Sequence, residues 1–366
     1  MTYSGNFSST LMLFIGRFIT GFSTGLVSMT APVYIAETAP PSKRGFLGSG
    51  FQLAVTIGIF LTYFIGKYIA WSWLAGQSCL YPTAMLIAML FMPESPTWLV
   101  KKGRISDATE ALLFLHGHQG SNSEISITPS IVSDGLSTEE SNSNLKWKSF
   151  FVEFTKPNIY KPIFLSLALM FFQQFSGVNA FIMYTTDIFK SNKSSSLDPI
   201  DGTIIVGGIQ VIATFVACFL TDRAGRRALL MISGGGCVVG LFIYILFIYV
   251  NQLKIYGWLP VLSLVVFITA FSLGQGPIPW LMMSELLPAH VKGPASGITS
   301  SFNWLCAFIV TKNFDLLEHM MGDGGVYILF ASFMTIGCIF VGVFLPETKG
   351  KSLQEIENHF RGLISI

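Results

Sequence analysis

The sequence predicts an all-α, polytopic membrane protein. Of its 366 residues, 51% are hydrophobic and only 11% are charged, whereas soluble domains carry about 25% charged residues. Uninterrupted apolar runs, such as 229–250, are long enough to cross a bilayer as a helix. The net charge of +2 gives no reason to expect a nucleic-acid partner. These observations indicate a bundle of membrane-spanning helices.

About nine segments have the length and apolarity of a span. They are roughly 11–36, 46–66, 72–92, 160–189, 203–221, 228–250, 258–287, 293–316 and 325–345. Most Lys and Arg residues fall in one alternating set of connections, so the positive-inside rule predicts a cytoplasmic C-terminus and an external N-terminus. The sequon that begins at Asn192 then lies in an external loop, which makes Asn192 a candidate for glycosylation.

The spans divide the chain into four parts. Residues 1–92 form a partial N-terminal bundle of three helices, and 159–345 form a C-terminal bundle of six helices. The polar segment 93–158 is expected to be a cytoplasmic linker, with an amphipathic helix capped by Ser106 and a Ser/Asn-rich disordered part. A short cytoplasmic tail follows at 346–366.

Two connections on the same predicted side share one pattern. ETAPPSKRG, which begins at Glu37, and ELLPAHVKG, which begins at Glu285, carry Pro, a basic residue and Gly at equal offsets. PES at 93–95 and PET at 346–348 form a second pair, and the two separations are 248 and 253 residues. These pairs indicate a duplicated fold. The offset also predicts about three further spans ahead of the first, and about twelve in a complete fold.

Short motifs are spread over nearly the whole chain. They include GRFITG (16–21), PVYIAETAPPSKRG (32–45), PESPTWL (93–99), FFQQFSGVNA (171–180), DRAGRR (222–227), GPIPWLMMSELLP (276–288) and PETKGKS (346–352). Together these motifs resemble those of the sugar porter family of the major facilitator superfamily. GWLP (257–260) and NWLCAFIVTKNF (303–314) are similar to arthropod facilitated trehalose and glucose transporters. The resemblance implies a major-facilitator helical bundle in which about nine of the usual twelve helices are present. It also implies sugar transport by alternating access in the plasma membrane.

Neutral amides and indoles within the spans suit a sugar site. Sugars offer hydroxyls at every edge and C–H groups on their faces, so they need amides that both donate and accept, and an aromatic plane. The resemblance places the sugar-binding role on Gln52, Gln173, Gln174, Asn179, Trp280 and Asn303, and Gln210 and Trp304 are further candidates. Ser272 stands where vertebrate glucose carriers have a carboxylate. For each amide, the alternative is an interhelical hydrogen bond without substrate contact.

The stretch FSLGQGPIPW at 271–280 predicts a broken helix. Pro277 and Pro279 each lack an N–H, and Gly276 relaxes the backbone beside them. We expect the break to leave carbonyls facing a cavity and to let Trp280 move across the sugar site as a gate. The alternative is a static proline kink.

Charged residues cluster at the predicted cytoplasmic ends of the spans. They are Glu37, Arg44, Glu94, Arg223, Arg226, Arg227, Glu285, Lys292 and Glu347. The resemblance implies that they pair across the two halves when the inner side is closed; setting topology and capping helices is the simpler role. Thr97 and Lys292 stand where the family usually has Arg, which predicts a weaker inner gate.

The transport mechanism has several alternatives. Carboxylates in the spans lie toward their ends, which favours facilitated diffusion, although a proton-coupled symporter, an inactive truncated carrier and, less well supported, a sugar sensor stay open. The sequence shows no nucleophile–base pair, metal cluster or phosphate loop, so we expect no enzyme, metal or cofactor. Sugar and lipid are the expected partners, with no obligate protein partner. The choice between glucose and trehalose stays open.

Overall fold

The computed structural model describes residues 10–40, 43–116, 154–182, 198–288, 291–322 and 324–363. Every regular element in these ranges is helical. The helices are α1 (Thr10–Thr38), α2 (Arg44–Gly66), α3 (Trp71–Gln77), α4 (Leu80–Met89), α5 (Pro96–Lys101), α6 (Ile105–His116), α7 (Pro157–Gln174), α8 (Pro199–Ala224), α9 (Arg226–Tyr249), α10 (Leu259–Leu273), α11 (Ile278–Leu286), α12 (Lys292–Met321), α13 (Gly325–Phe344) and α14 (Leu353–Phe360). Asn192 lies outside the described residues.

Seven segments of the described chain are long and apolar enough to cross a membrane. They are Thr10–Thr38, Arg44–Gly66, Pro157–Ile182, Pro199–Ala224, Arg226–Tyr249, Leu259–Leu286 and Gly325–Phe344. The expected number of nine is therefore not confirmed. The segment 72–92 is two short helices, α3 and α4, and α12 is 30 residues long but too polar to count. Its polarity comes from one buried face, which carries Ser296, Thr299, Ser300 and Asn303.

The predicted amphipathic helix exists, but Ser106 does not cap it. Helix α6 begins one residue earlier, and the Ser106 hydroxyl donates to Asp107 Oδ1 at 3.1 Å. The first turn is held instead by Arg104, whose Nε donates to Asp107 Oδ2 at 2.6 Å. This hydrogen bond lowers the pKa of the Asp107 carboxyl. The helix packs on α5, with Leu99 and Ala108 fully buried between them.

The tail contains a capped helix. The Ser352 hydroxyl accepts from the Glu355 N–H, and the Glu355 carboxylate accepts from the Ser352 N–H at 2.7 Å. Hydrogen bonds from the Ser352 backbone and hydroxyl lower the pKa of Glu355. Ile356 on this helix is buried in the same apolar cluster as Leu286 of α11. The tail is therefore docked onto the bundle.

Helices α2 and α8 run antiparallel and touch along their length. The rings of Phe46 and Phe219 are 5.1 Å apart near one end. At the other end Lys67 forms an ion pair with Asp201. The hydrogen bond that the Lys67 ammonium donates to the Asp201 carboxylate raises the pKa of Lys67. Between these ends, a Cβ on Gly207 would lie 3.6 Å from the Phe60 backbone. These contacts join the two predicted halves of the fold.

Glycines allow α9 to lie directly against α10. A Cβ at Gly240 would lie 2.9 Å from the Phe267 backbone nitrogen, and a Cβ at Gly236 would lie 2.7 Å from the Ala270 Cβ. Phe267 is fully buried and its ring stacks on Phe181 at 4.6 Å. Because backbone cannot move aside as a flexible side chain can, both positions require glycine.

Gly240→Ala is expected to destabilise the bundle by about 1–3 kcal/mol, because the new methyl group overpacks the α9–α10 contact. The measurement is the thermal unfolding midpoint in detergent. Gly235→Ala is the matched control, since nothing lies within 4 Å of a Cβ there. An equal midpoint for the two variants would contradict the proposed close contact.

Candidate functional site

The break predicted from the sequence lies between α10 and α11. Helix α10 ends at Leu273 and α11 begins at Ile278. The N–H of Gly276 donates to Phe271 O at 2.8 Å, which spans five residues instead of the four of a regular helix. Pro279 has no N–H to offer to the Gln275 carbonyl, its regular acceptor. The break therefore leaves backbone groups that need other partners inside the bundle.

Four side-chain amides form one hydrogen-bonded chain beside the break, which we call the amide chain. Asn179 Nδ2 donates to Gln174 Oε1 at 2.6 Å, and Gln174 Nε2 donates to Asn303 Oδ1 at 2.9 Å. Asn303 Nδ2 then donates to Gln173 Oε1 at 2.9 Å. The chain joins α7, the residues just after it, and α12. Four of the predicted sugar-binding residues are thus brought together.

Gln173 connects the amide chain to the broken backbone. Its Nε2 donates to Gln275 O at 2.8 Å and to Gly276 O at 2.9 Å. These two bonds use both N–H groups of the amide. One bond goes to the Gln275 carbonyl, which Pro279 leaves without its regular donor. The two carbonyls therefore accept from a side chain of α7.

The aromatic side of the site comes from α11 and α2. Trp280 is buried, and the ring of Phe51 meets its indole edge-on at 5.7 Å. The next residue, Gln52, has its Cγ 3.6 Å from where a Cβ on Gly276 would lie. Met170, whose sulfur accepts from Asn303 Nδ2 at 3.2 Å, belongs to the same packed cluster as Trp280. The predicted amides and the predicted tryptophan are therefore neighbours.

The other candidates have contacts outside the amide chain. Gln210 is buried on α8, and its backbone carbonyl accepts from the Thr214 hydroxyl at 2.8 Å. Trp304 points toward α1, where its indole N–H donates to the Ser28 hydroxyl at 3.3 Å, and its side chain is exposed. The Ser272 hydroxyl is buried without a hydrogen-bond partner among the described residues.

A buried ion pair occupies the end of the bundle where α9 begins, which we call the basic end. Arg226 Nη2 lies 3.0 Å from Glu285 Oε1 and 3.3 Å from Asp222 Oδ1. Asp222 Oδ2 also accepts from the Phe46 N–H at 2.8 Å, and Arg44 is buried beside this group. A buried carboxylate and guanidinium stabilise each other only with their hydrogen bonds intact. This cluster therefore ties α2 to α8, α9 and α11.

The loop after α13 completes the basic end. The Glu347 carboxylate accepts from the backbone N–H groups of Arg226 and Arg227 at 3.0 and 3.1 Å, which places a negative charge at the N-terminus of α9. The Thr348 hydroxyl donates to Glu285 Oε2 at 2.6 Å. Both oxygens of Glu285 are thus bonded.

The remaining members of the predicted charge network lie near this end with other contacts. The Ser95 hydroxyl donates to Glu37 Oε2 at 2.5 Å and lies 2.8 Å from Thr97 Oγ1. Glu94 beside them is exposed. The backbone carbonyl of Arg223 accepts from Lys349 Nζ, and Lys292 is buried at the start of α12.

Sequence reasoning missed the roles of three polar residues. Asp222 is part of the DRAGRR motif, where an acid at the end of a span beside arginines is a usable signal. Ser95 is part of the PES motif, but its bond to Glu37 depends on a tertiary contact. Ser233 of α9 donates to Ala270 O at 2.6 Å, and it gave no signal because serines are frequent and tolerated in membrane helices.

The chain matches the family described as sugar (and other) transporter over residues 1–360. It belongs to this family. It is 41% identical over 354 residues to a facilitated trehalose transporter, Tret1, of Apis mellifera ligustica, covering 96% of this chain and 69% of the relative. It is also 41% identical over 360 residues to a Tret1-2 homologue of Drosophila simulans, covering 97% and 72%.

Solved structures of the major facilitator superfamily share the fold. The proton:xylose symporter XylE bound to 6-bromo-6-deoxy-D-glucose is 29% identical with a TM-score of 0.80, covering 94% of this chain and 73% of that one. The inward-open form of XylE from E. coli gives a TM-score of 0.63 at 27% identity, covering 94% and 72%. The structure therefore superposes better on the sugar-bound form than on the inward-open form. The predicted all-α major-facilitator fold and sugar-transporter class are confirmed.

Glu285→Ala is expected to lower stability by about 3 kcal/mol, because it leaves the charge of Arg226 buried with the longer Asp222 contact as its remaining ion pair among the described residues. The measurement is thermal unfolding of the purified protein. Glu357→Ala, which removes the i,i+4 partner of the exposed Arg361, is the control and should change stability little. Equal effects of the two substitutions would show that the buried pair is not special.

Proposed function

We propose that the chain carries trehalose or a hexose across the plasma membrane by facilitated diffusion, with alternating access to the two sides. The observation that carries the proposal is the amide chain beside Trp280. It provides donors and acceptors in one place together with an indole, which is the chemistry that a neutral polyol requires. The trehalose transporters among the relatives make trehalose the first sugar to test.

Sugar binding at this site has to replace hydrogen bonds between amides with hydrogen bonds from amides to the sugar. In the present form each amide of the chain bonds to another amide, so no member is left unsatisfied in the bundle. A sugar hydroxyl both donates and accepts, and can take the place of an amide partner one for one. Gln174, Asn179 and Asn303 are the residues we assign to direct contact, with Trp280 against a C–H face and Gln52 from α2. Gln210 is proposed as a further residue that lines the site, and Trp304 is not included in the site.

The charged cluster at the basic end is proposed as the inner gate. Arg226, Glu285, Asp222 and the start of α2 hold α2 against the C-terminal helices. Separating α2 from this cluster breaks a few hydrogen bonds. The charges that become exposed are then hydrated by water, and this hydration lowers the free energy needed to open the gate. We propose that this end is cytoplasmic. The four-part division of the chain at 92, 158 and 345 is likewise proposed.

Facilitated diffusion is favoured over proton coupling by the positions of the acids. Asp201, Asp222 and Glu285 lie within a turn of the ends of their helices, and Asp315 and Glu318 lie in the last two turns of α12. A proton-coupled carrier needs a carboxylate that titrates deep in the membrane. Uptake that does not change with an imposed pH gradient would support this choice.

Gln174→Ala and Trp280→Ala are each expected to weaken trehalose binding by about tenfold or more, because each removes a direct contact with the sugar. The measurement is equilibrium binding of labelled trehalose and glucose to the purified protein, followed by uptake into proteoliposomes. Gln77→Ala is the matched control, since Gln77 is a half-buried glutamine of α3 that is bonded to Tyr81 and lies outside the amide chain. Normal binding by both site variants, or no sugar binding by the unaltered chain, would overturn the proposed site.

A further inference from the structure

Ser233 contacts the break from the side opposite to the amide chain. It lies on α9 and is buried. Its hydroxyl donates to Ala270 O at 2.6 Å and accepts from the Gln275 N–H at 2.8 Å. A single hydroxyl thus bridges the last turn of α10 and the linker that leads into α11.

These two backbone atoms are the ones that lose their helical partners. In a regular helix Ala270 O accepts from the Gly274 N–H, but here that N–H donates to Phe271 O at 3.3 Å. Gln275 N–H would donate to Phe271 O, which instead accepts from the next residue at 2.8 Å. Ser233 therefore replaces both lost bonds, one as donor and one as acceptor.

Close packing holds the hydroxyl in this position. A Cβ on Gly274 would lie 2.7 Å from Leu229 O and 2.7 Å from the Ser233 Cβ, so α9 rests directly on the break. A side chain at position 274 would push Ser233 away from the two atoms that it bridges. The contact is built from both sides, by a glycine on the linker and a serine on the facing helix.

The two sides of the break differ in what a sugar can reach. Gln173 holds the Gln275 and Gly276 carbonyls and belongs to the amide chain, so a sugar that recruits Asn303 competes for the same bonds. Ser233 bonds to Ala270 O and to the Gln275 N–H, and none of its bonds involves the amide chain. The amide side can therefore open while the α9 side stays closed.

We propose that Ser233 is a positioning residue for transport: its hydroxyl acts as the pivot about which α11 and Trp280 change their angle to α10. The inference rests on the proposed function. Without the hydroxyl, the break keeps the Gln173 bonds, for which a sugar competes, and α11 loses its defined path. The sugar contacts themselves do not involve Ser233, so binding is retained while translocation slows.

The test compares Ser233→Ala with Ser263→Ala in the full chain. Ser263 is a matched control, because it is also a buried serine, lies on α10, and has no hydrogen-bond partner for its hydroxyl among the described residues. Two experiments on each purified protein give three quantities. Amide hydrogen exchange gives the exchange rate of the peptide around Gln275, and the concentration dependence of labelled trehalose uptake into proteoliposomes gives the maximal rate and the half-saturating concentration.

Ser233→Ala is expected to speed exchange at the Gln275 amide by about tenfold and to lower the maximal uptake rate by about fivefold. The half-saturating sugar concentration should stay within about twofold of the unaltered protein, a split that a general loss of folded protein does not produce. Ser263→Ala should match the unaltered protein in all three quantities.

Unchanged exchange and unchanged maximal uptake in Ser233→Ala would overturn the inference, and so would a loss of sugar affinity equal to that of Gln174→Ala. If Ser233→Ala does not fold, hydrogen exchange of the unaltered protein provides the test. Fast exchange at the Gln275 amide contradicts the Ser233 bridge, and slow exchange supports it. Absence of sugar binding by the unaltered protein would count against the proposed function, whereas the exchange result would still decide the role of Ser233.

Discussion

The structure depends on one constraint, which is that a broken helix inside a membrane must find partners for its free backbone groups. The segment between α10 and α11 loses its regular bonding because prolines stand at 277 and 279. In lipid each unsatisfied group costs several kcal/mol, so the break can exist only where neighbouring helices supply donors and acceptors. Gln173 supplies them from α7 and Ser233 supplies them from α9. Helices α7 and α9 therefore have to lie against the break, because their side chains provide its hydrogen-bond partners.

The amides that satisfy the break are also the groups suited to a sugar. Gln173 bonds to the broken backbone, and through Asn303 it is joined to Gln174 and Asn179. Occupancy of the site and the geometry of the helix that carries Trp280 are therefore connected by direct hydrogen bonds. At the basic end, Arg226 and Glu285 hold the other end of α11. One short helix thus carries the indole at its start and a residue of the proposed gate at its end.

Much of this arrangement was predictable from sequence, because it depends on local chemistry. The missing N–H groups of Pro277 and Pro279 predicted the break, and isolated amides in apolar segments predicted a polar site. The partners of each group were not predictable, since Gln173 and Trp304 are equally plausible walls until the helix rotations are known. Only the structure shows that Trp304 turns toward Ser28 on α1.

One error has a clear physical reason. Ser106 matched the pattern of a cap, but α6 begins one residue earlier, where Arg104 can bond to Asp107 three residues on. The predicted span 293–316 is a helix, α12, but a buried row of small polar residues lowers its mean hydropathy, so length and composition alone do not confirm it as a span. That row of polar residues faces neighbouring helices, a context that the local pattern does not contain.

The most direct test of this account is an experimental structure of the protein with trehalose bound. The account predicts sugar hydroxyls within hydrogen-bonding distance of the Gln174 and Asn303 amides, a C–H face against the Trp280 ring, and at least one amide–amide bond of the present chain replaced by a bond to sugar. A sugar bound elsewhere, with all the bonds between the amides intact, would contradict it.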